Sequence, residues 1–259
     1  MDLNLKDKVA IVTGVCGVKG VAGVGAAITR VFAEQGINVV ANYIVDGDDV
    51  KNYVDELNKK HGTKCMAVYG DISKPEDIDN IIEKAIQAYG KIDILVNNAA
   101  ILPVTNIIDM PDEEWERVIK INLNGTFFFC KRFAKQLIKL NRPGRIVNIT
   151  SKSGFFVTSP GRSHYATSKG GIITLTKALA REFTQYGIIV NAIAPGILRT
   201  PLNNELLEDK EIERNYVKRI PLGRLTDPEE IANIVSFLVS EKSESIVGTT
   251  IDATGGMLI

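Results

Sequence analysis

Residues 8–36 read Lys8-Val9-Ala10-Ile11-Val12-Thr13, then Gly14-Val15-Cys16-Gly17-Val18-Lys19-Gly20-Val21-Ala22-Gly23-Val24-Gly25, then Ala26-Ala27-Ile28-Thr29-Arg30-Val31-Phe32-Ala33-Glu34-Gln35-Gly36. The first block is a short apolar run, the pattern of a strand covered on both faces. Five of the next twelve residues are Gly. From Ala26 to Gln35 the apolar residues recur with helical spacing, and Gly36 stops the helix. Strand, glycine-rich turn, helix is the local order in which main-chain amides and a helix N-terminus cradle a diphosphate. Glycine is needed there because the backbone must approach the phosphates closely and adopt left-handed dihedrals. A flexible surface loop would explain the glycines, but not the strand and helix on either side.

The same alternation continues outward from this unit. Strands are expected at Ile37–Ile44, Lys64–Tyr69, Ile92–Val96, Arg145–Thr150, Ile188–Ala194 and Thr249–Asp252. Helices are expected between them, over Asp48–Lys60, Pro75–Tyr89, one long helix Asp112–Leu140, and a helix through Tyr165 to Tyr186. Pro75 and Glu76 open their helix and Gly90 closes it. Asn203–Lys218 is charged and helix-prone, a substrate lid within about 200–220, and Asp227-Pro228-Glu229-Glu230 starts a helix that runs to Ser240. Strands alternating with helices imply an α/β doubly wound parallel sheet of about seven strands with helices on both faces. No internal repeat, low-complexity tract or linker divides residues 1–259, so a single domain is expected.

Composition narrows the class of function. Apolar residues make up 45% and charged residues 24%, and Lys+Arg equals Asp+Glu at 31 each. No charge excess points to nucleic acid or an anionic membrane. The first residues lack the apolar core of a signal peptide, and no apolar run reaches the ~18 residues of a membrane helix. Cys16, Cys65 and Cys130 are odd in number and far apart. That pattern fits a reducing cytoplasm better than a disulfide framework. No Cys/His group has zinc-ligand spacing, so no metal is expected.

In an open α/β sheet, ligands bind beyond the carboxyl ends of the strands. The glycine-rich loop, Asp71, Asn97-Asn98, Ser151 and Pro195-Gly196 all fall at such ends. Tyr165 and Lys169 stand four apart at a helix start and so share a face. A free phenol has a pKa near ~10. A neighbouring ammonium stabilises phenolate and lowers that pKa, which makes Tyr165 a usable general acid and base. Ser151 would hydrogen-bond a substrate oxygen and hold it against the Tyr hydroxyl. The set suits reversible proton transfer to a carbonyl or from an alcohol. Spacing alone fits an ordinary amphipathic helix start just as well; the convergence of all these residues on one sheet edge is what favours a site. Two alternatives stay open. Asp71 touches an adenine ring or caps a turn, and Asp46, Asp48 and Asp49 meet an adenosine ribose or begin a solvated helix.

With those residues in place, the chain resembles the short-chain dehydrogenase/reductase family over essentially its whole length. The matching residues are Thr13-Gly14, Asp71, Asn97-Asn98-Ala99, Asn122 in Ile-Asn-Leu-Asn-Gly, Ser151, Tyr165-Ala166-Thr167-Ser168-Lys169, and Pro195-Gly196-Ile197-Leu198-Arg199-Thr200. Within the family, Val190-Asn191-Ala192-Ile193-Ala194-Pro195-Gly196 and the ending Gly255-Gly256-Met257 look most like 3-oxoacyl-[acyl-carrier-protein] reductases. Asn42-Tyr43 and Lys169-Gly170-Gly171 look like bacterial glucose dehydrogenases.

The resemblance implies a Rossmann-type NAD(P)-dependent oxidoreductase, a homotetramer joined through its two long helices, acting on a small carbonyl or alcohol. It implies a catalytic set Asn122, Ser151, Tyr165 and Lys169. Hydride would pass from nicotinamide C4 to the carbonyl carbon while Tyr165 gives a proton to the oxygen and Ser151 polarises it. Lys169 would lower the Tyr165 pKa and bind the nicotinamide ribose, and Asn122 would hold a water in a proton relay behind Lys169. The implied cofactor contacts are Gly14, Gly23, Val24, Tyr43, Asp71, Ile72, Asn98, Ala99, Ala100, Tyr165, Lys169, Pro195, Gly196, Leu198 and Thr200. Lys135 and Arg181 lie where acyl-carrier-protein reductases place basic residues for the carrier. A sugar or steroid dehydrogenase is the rival within the family, and a non-catalytic nucleotide-binding protein the rival outside it.

The sequence departs from the family pattern at three places. The usual Thr-Gly-x-x-x-Gly-x-Gly turn is lengthened, with eight residues between Gly14 and Gly23. Enoyl reductases of the superfamily also lengthen this loop, but they space their Tyr and Lys by seven. Ala100 replaces a common Gly, and Thr254 replaces a common Asp before the final Gly-Gly. Cofactor choice is NAD(H) or NADP(H). Tyr43 ends the second strand, with neither an acid for the ribose nor an Arg for a 2′-phosphate. Lys19 would attract that phosphate and Asp46 would repel it, and the reading leans slightly to NAD.

Overall fold

The computed structural model describes residues 2–16, 20–45, 47–157, 159–200 and 209–259. Seven strands form one parallel sheet: β1 (Val9–Val12), β2 (Asn38–Tyr43), β3 (Met66–Tyr69), β4 (Ile94–Asn97), β5 (Gly144–Ile149), β6 (Ile188–Pro195) and β7 (Thr250–Ala253). Their order is β3-β2-β1-β4-β5-β6-β7. The chain therefore winds outward one way from β1 to β3, returns to pair β4 against β1, and winds the other way. Register at the centre aligns Ile11 with Val40 on one side and with Leu95 on the other. The crevice between β1 and β4 is the switch point at which such sheets hold ligands.

Period-2 alternation divides the strand side chains between two cores. Ala10 and Val12 face a layer made by α1 (Val24–Glu34), α2 (Gly47–His61) and the late helix Pro228–Val239, where Phe32, Val54 and Val235 are buried. Val9 and Ile11 face the opposite layer, made by α3 (Pro75–Tyr89), the helices after β4, and the helix after β5. Because both faces are covered, every residue of β1 and β4 is buried. This is why those strands are nearly unbroken apolar runs in the sequence. Arg30 of α1 pairs with Glu229 at 2.7 Å and ties α1 to the late helix at its rim.

The stretch expected as one helix over Asp112–Leu140 is not regular. It comprises α4 (Asp112–Ile119), a π-helical turn Lys120–Asn124, and α5 (Gly125–Lys139). The wide turn accompanies a buried amide: Asn122 is fully enclosed and holds both the N–H and the C=O of Ile101. Helix α6 spans Ser163–Phe183 and a 3₁₀ turn carries it to Tyr186. α7 (Lys210–Val217) and α8 (Pro228–Val239) complete the set among the described residues. The expected helix Asn203–Lys218 is seen from Lys210 onward; its earlier part lies outside the described residues, as do Lys19 and Asp46. Among the described residues, no helix is long and apolar enough to cross a membrane, and no three His, Cys, Asp or Glu side chains gather to hold a metal.

Candidate active site

At the β1/β4 crevice the backbone comes too close for any side chain. A Cβ on Gly14 would stand 2.7 Å from Ala99 Cα. One on Gly25 would stand 2.4 Å from the Gly14 carbonyl oxygen and 2.6 Å from Asn98 Nδ2. Gly14 also has φ +67 and Gly23 φ +87, a left-handed region that favours glycine. Asn98 clamps the loop: its Nδ2 donates to the carbonyls of Thr13 and Gly14, and Thr13 Oγ1 accepts from the N–H of Asn98 and of Ala99. Gly23 precedes α1 without a side-chain cap, and the first turn, beginning at Val24, carries no acid. The head of α1 thus presents main-chain N–H groups and a positive dipole end. This cradle fits a diphosphate. Val15 and Cys16, at the start of the lengthened loop, are both buried.

The neighbouring strand ends carry the other expected contacts. Tyr43 closes β2, with its ring buried beneath Gly47 and set edge-on to Tyr69. Asp71 follows β3 and accepts the N–H of Ser73 on Oδ1, so it does cap a turn; Ile72 beside it is buried. Ala100 follows Ala99 at the end of β4. Pro195 ends β6, and Gly196 lies so close to Thr254 that a Cβ would meet its Cα at 2.9 Å. Leu198 pairs with Thr226 in an isolated bridge, and Thr200 is buried.

Ser151, Tyr165 and Lys169 come together between β5 and α6. Ser151 lies two residues beyond β5 and caps a 3₁₀ turn, Lys152–Gly154, its Oγ accepting the N–H of Ser153 at 3.1 Å. The turn lies on the backbone of α6: a Cβ on Gly154 would stand 2.8 Å from the Lys169 carbonyl carbon. Thr150 Oγ1 donates to the Lys169 carbonyl at 2.7 Å and Lys169 Nζ donates to the Ile149 carbonyl at 2.8 Å, locking helix to strand. Ser151 and Tyr165 line one cavity with Leu102 and Ile197. Asn122 donates to Ser168 Oγ at 3.2 Å and accepts from Ile101, so its side chain fastens the loop after β4 to α6. Its carbonyl accepts from Thr126 Oγ1 at 2.8 Å.

The electrostatics correct one expectation. Lys169 was to lower the Tyr165 pKa, but burial raises the phenol above its usual value. The Ser151 hydrogen bond and the charge of Arg162 oppose that rise without overcoming it. The reason is geometric: the Lys169 ammonium sits over the Tyr165 ring, 5.6 Å from its centroid, and points a proton at a carbonyl. Burial pulls Lys169 itself down to about 8, so it still carries most of its charge at neutral pH.

Three residues escaped the sequence reading as functional candidates. His164 is fully buried; its Nδ1 accepts the N–H of Tyr165 at 2.8 Å, and its Nε2 lies 3.2 Å from Glu114 Oε1 on α4. Lys152 is buried in the turn after Ser151. A His or Lys directly beside a suspected catalytic residue was the only signal of either; nothing local linked Glu114 to them.

Residues 17–258 match the family model described as enoyl-(acyl carrier protein) reductase. The chain is 37% identical over 260 residues to 3-oxoacyl-[acyl-carrier-protein] reductase FabG of Thermotoga maritima, covering 99% of this chain and 100% of that one. The chain belongs to the short-chain dehydrogenase/reductase family. This short-chain dehydrogenase/reductase is also 38% identical over 256 residues to 3beta-hydroxysteroid dehydrogenase 1 of Eggerthella lenta, covering 99% and 95% of the two chains. It superposes on the crystal structure of a short-chain type dehydrogenase/reductase from Mycobacterium marinum with a TM-score of 0.91 at 30% identity, over 99% and 97% of the chains. As a member of the family it is an oxidoreductase of the CH–OH/carbonyl couple that uses a nicotinamide cofactor.

Proposed function

We propose that Tyr165 is the general acid and base of this short-chain dehydrogenase/reductase, and that its substrate is a small ketone or secondary alcohol bound in the cavity at Ser151. The observation that carries the reading is that Ser151 and Tyr165 line the same cavity, with Ser151 placed to favour the phenolate of Tyr165. A carbonyl oxygen placed there accepts from both hydroxyls at once, so it is polarised where negative charge develops. When bound, the nicotinamide supplies or takes the hydride at the carbon. Tyr165 holds the proton at Oη and passes it to the oxygen in reduction, or takes it back in oxidation. Its buried, raised pKa keeps it protonated at neutral pH, as an acid must be.

Lys169 gives one of its three N–H donors to Ile149 and keeps two for ribose hydroxyls. The charge of Arg162 also favours the phenolate. Asn122 positions the site by joining Ile101 to Ser168, and any water relay behind Lys169 falls to its carbonyl, which has a second lone pair beside the Thr126 bond. Gly14, Gly23 and Val24 would hold the diphosphate. Asp71, Ile72, Asn98, Ala99 and Ala100 would flank the adenosine half, and Pro195, Gly196, Leu198 and Thr200 the nicotinamide half.

Asp49 supports NAD over NADP, because its Oδ2 lies 3.6 Å from where Gly20 would carry a Cβ and so sets a carboxylate beside the glycine loop. Exposed Trp115, Phe127 and Ile138 on α4 and α5 support a homotetramer joined through these helices and α6. Three buried cysteines, far apart in the sequence, are in keeping with the cytoplasm. Lys135 and Arg181 are exposed, as contact with a carrier protein would require.

Tyr165→Phe tests the central assignment. Turnover should vanish while reduced-nicotinamide fluorescence still reports binding. Near wild-type turnover would sink it.

A further inference from the structure

Two cationic side chains line the cavity that holds Ser151 and Tyr165. Lys152 follows Ser151 directly, and Arg162 is the residue before α6, three positions ahead of Tyr165. Both line the cavity with the reacting pair. Lys152 is only 8% exposed. Burial pushes its ammonium down, and the charges of Arg219 and Arg162 push it further the same way. Arg162 and Arg219 thus each stand close enough to repel Lys152, and two of the three cations line a site whose chemistry needs only one. Among the described residues that line this cavity there is no Asp or Glu; Ser153, Ser159 and Tyr216 add hydroxyls.

Gathering like charges around a buried Lys opposes folding. In a chain whose charges balance at 31 and 31, bringing Lys152 and Arg162 to one cavity is a feature of the site, not of the composition. A neutral ketone gains nothing from it. An anion on the substrate gains a charge-assisted hydrogen bond from the ammonium and a two-point one from the guanidinium.

Resting on the oxidoreductase reading above, we infer that the substrate is an oxo or hydroxy acid whose carboxylate, close to the reacting carbon, is held by Lys152 and Arg162. The pair fixes which way round the substrate lies, so the carbonyl oxygen meets Ser151 and Tyr165 while the acid end points to the cations.

The test compares kcat/KM for short- and medium-chain oxo acids, with the carboxylate one to three carbons from the ketone, against their methyl esters, using NADH and NADPH. A charged hydrogen bond in a partly buried site corresponds to roughly 10- to 100-fold, so the acid should exceed its ester by at least about tenfold. In Lys152→Gln and in Arg162→Gln that ratio should fall toward one, with thermal melting and residual ester turnover reporting that each variant is folded. Esters used as well as acids would overturn the anion site and leave the oxidoreductase reading standing. An acid preference that survives both substitutions would overturn the assignment to Lys152 and Arg162. Preference for matched phosphomonoesters would overturn the carboxylate. Turnover of neither class with either nicotinamide would overturn the inference together with the reading beneath it.

Discussion

Gly154→Ala places one methyl group where the turn after Ser151 lies on α6. Gly154 is not a left-handed glycine, so the cost is contact alone. The new Cβ would meet the Lys169 carbonyl carbon at 2.8 Å, Gly170 N at 2.9 Å and Ile173 Cδ1 at 2.9 Å. Two of these are backbone and cannot swing aside. Carbon atoms pack at about 3.5–4.0 Å, so the turn must retreat by roughly 1 Å. Overpacking of this kind costs about 1–3 kcal/mol, which for a chain of this size lowers Tm by roughly 2–10 °C. Ser151 caps the same turn and must move with it, away from Tyr165. A misplacement near 1 Å lowers turnover by about 100-fold. Circular-dichroism melts and steady-state kcat measure the two effects, and nicotinamide binding should be largely kept because the glycine cradle is on β1 and α1. A variant with wild-type Tm and wild-type kcat would refute the claim that this close approach positions Ser151.

Gly25→Ala drives a methyl into the Gly14 carbonyl and Asn98 Nδ2; loss of one or two charged main-chain hydrogen bonds predicts roughly 100-fold weaker NADH binding, and an unchanged Kd would show that the cradle does not hold the diphosphate. Lys169 is held at about 8 against 10.5 when exposed; between those values the unfolded chain binds a proton the folded chain lacks, so stability rises with pH across that window. Lys169→Met should therefore be most favoured over wild type below pH 8, by up to about 3 kcal/mol relative to pH above 10.5, and a difference in urea midpoints that is flat with pH contradicts the shift. His164→Leu removes the acceptor for the Tyr165 N–H and the partner of Glu114. It should cost about 1–3 kcal/mol and lower kcat with Tm, whereas a neutral result would mean that the buried imidazole does not set the start of α6. Titration with NADPH should show weaker binding than with NADH if Asp49 repels a 2′-phosphate; tighter NADPH binding reverses the cofactor assignment.

Much of this architecture is written in short stretches. A strand covered on both faces must be apolar throughout, so Val9–Val12 and Ile94–Asn97 announce themselves. Glycine where a Cβ would collide with Ala99 or Gly14 announces the cradle. The four-residue spacing of Tyr165 and Lys169 puts them on one face whatever else the chain does. These features are local, because each follows from the geometry of a few consecutive residues.

What neighbours in space decide was not legible in that way. The π-helical turn at Asn122 exists because Ile101, from another segment, offers it two main-chain partners. The direction of the Tyr165 pKa depends on how deeply the ring is buried and where an ammonium sits over it, and the presence of Lys169 in the sequence carries neither. Glu114 reaches His164 only because α4 packs on α6. Lys152 and Arg162, ten residues apart, share one wall because the turn at Lys152–Gly154 folds back onto α6. Residue order determined the sheet, its winding and which edge carries the chemistry, since periodicity and glycine placement act over single elements. The tertiary structure alone decided the charge of the pocket and the poise of its acid, since desolvation and Coulomb interactions depend on distance through space and not along the chain.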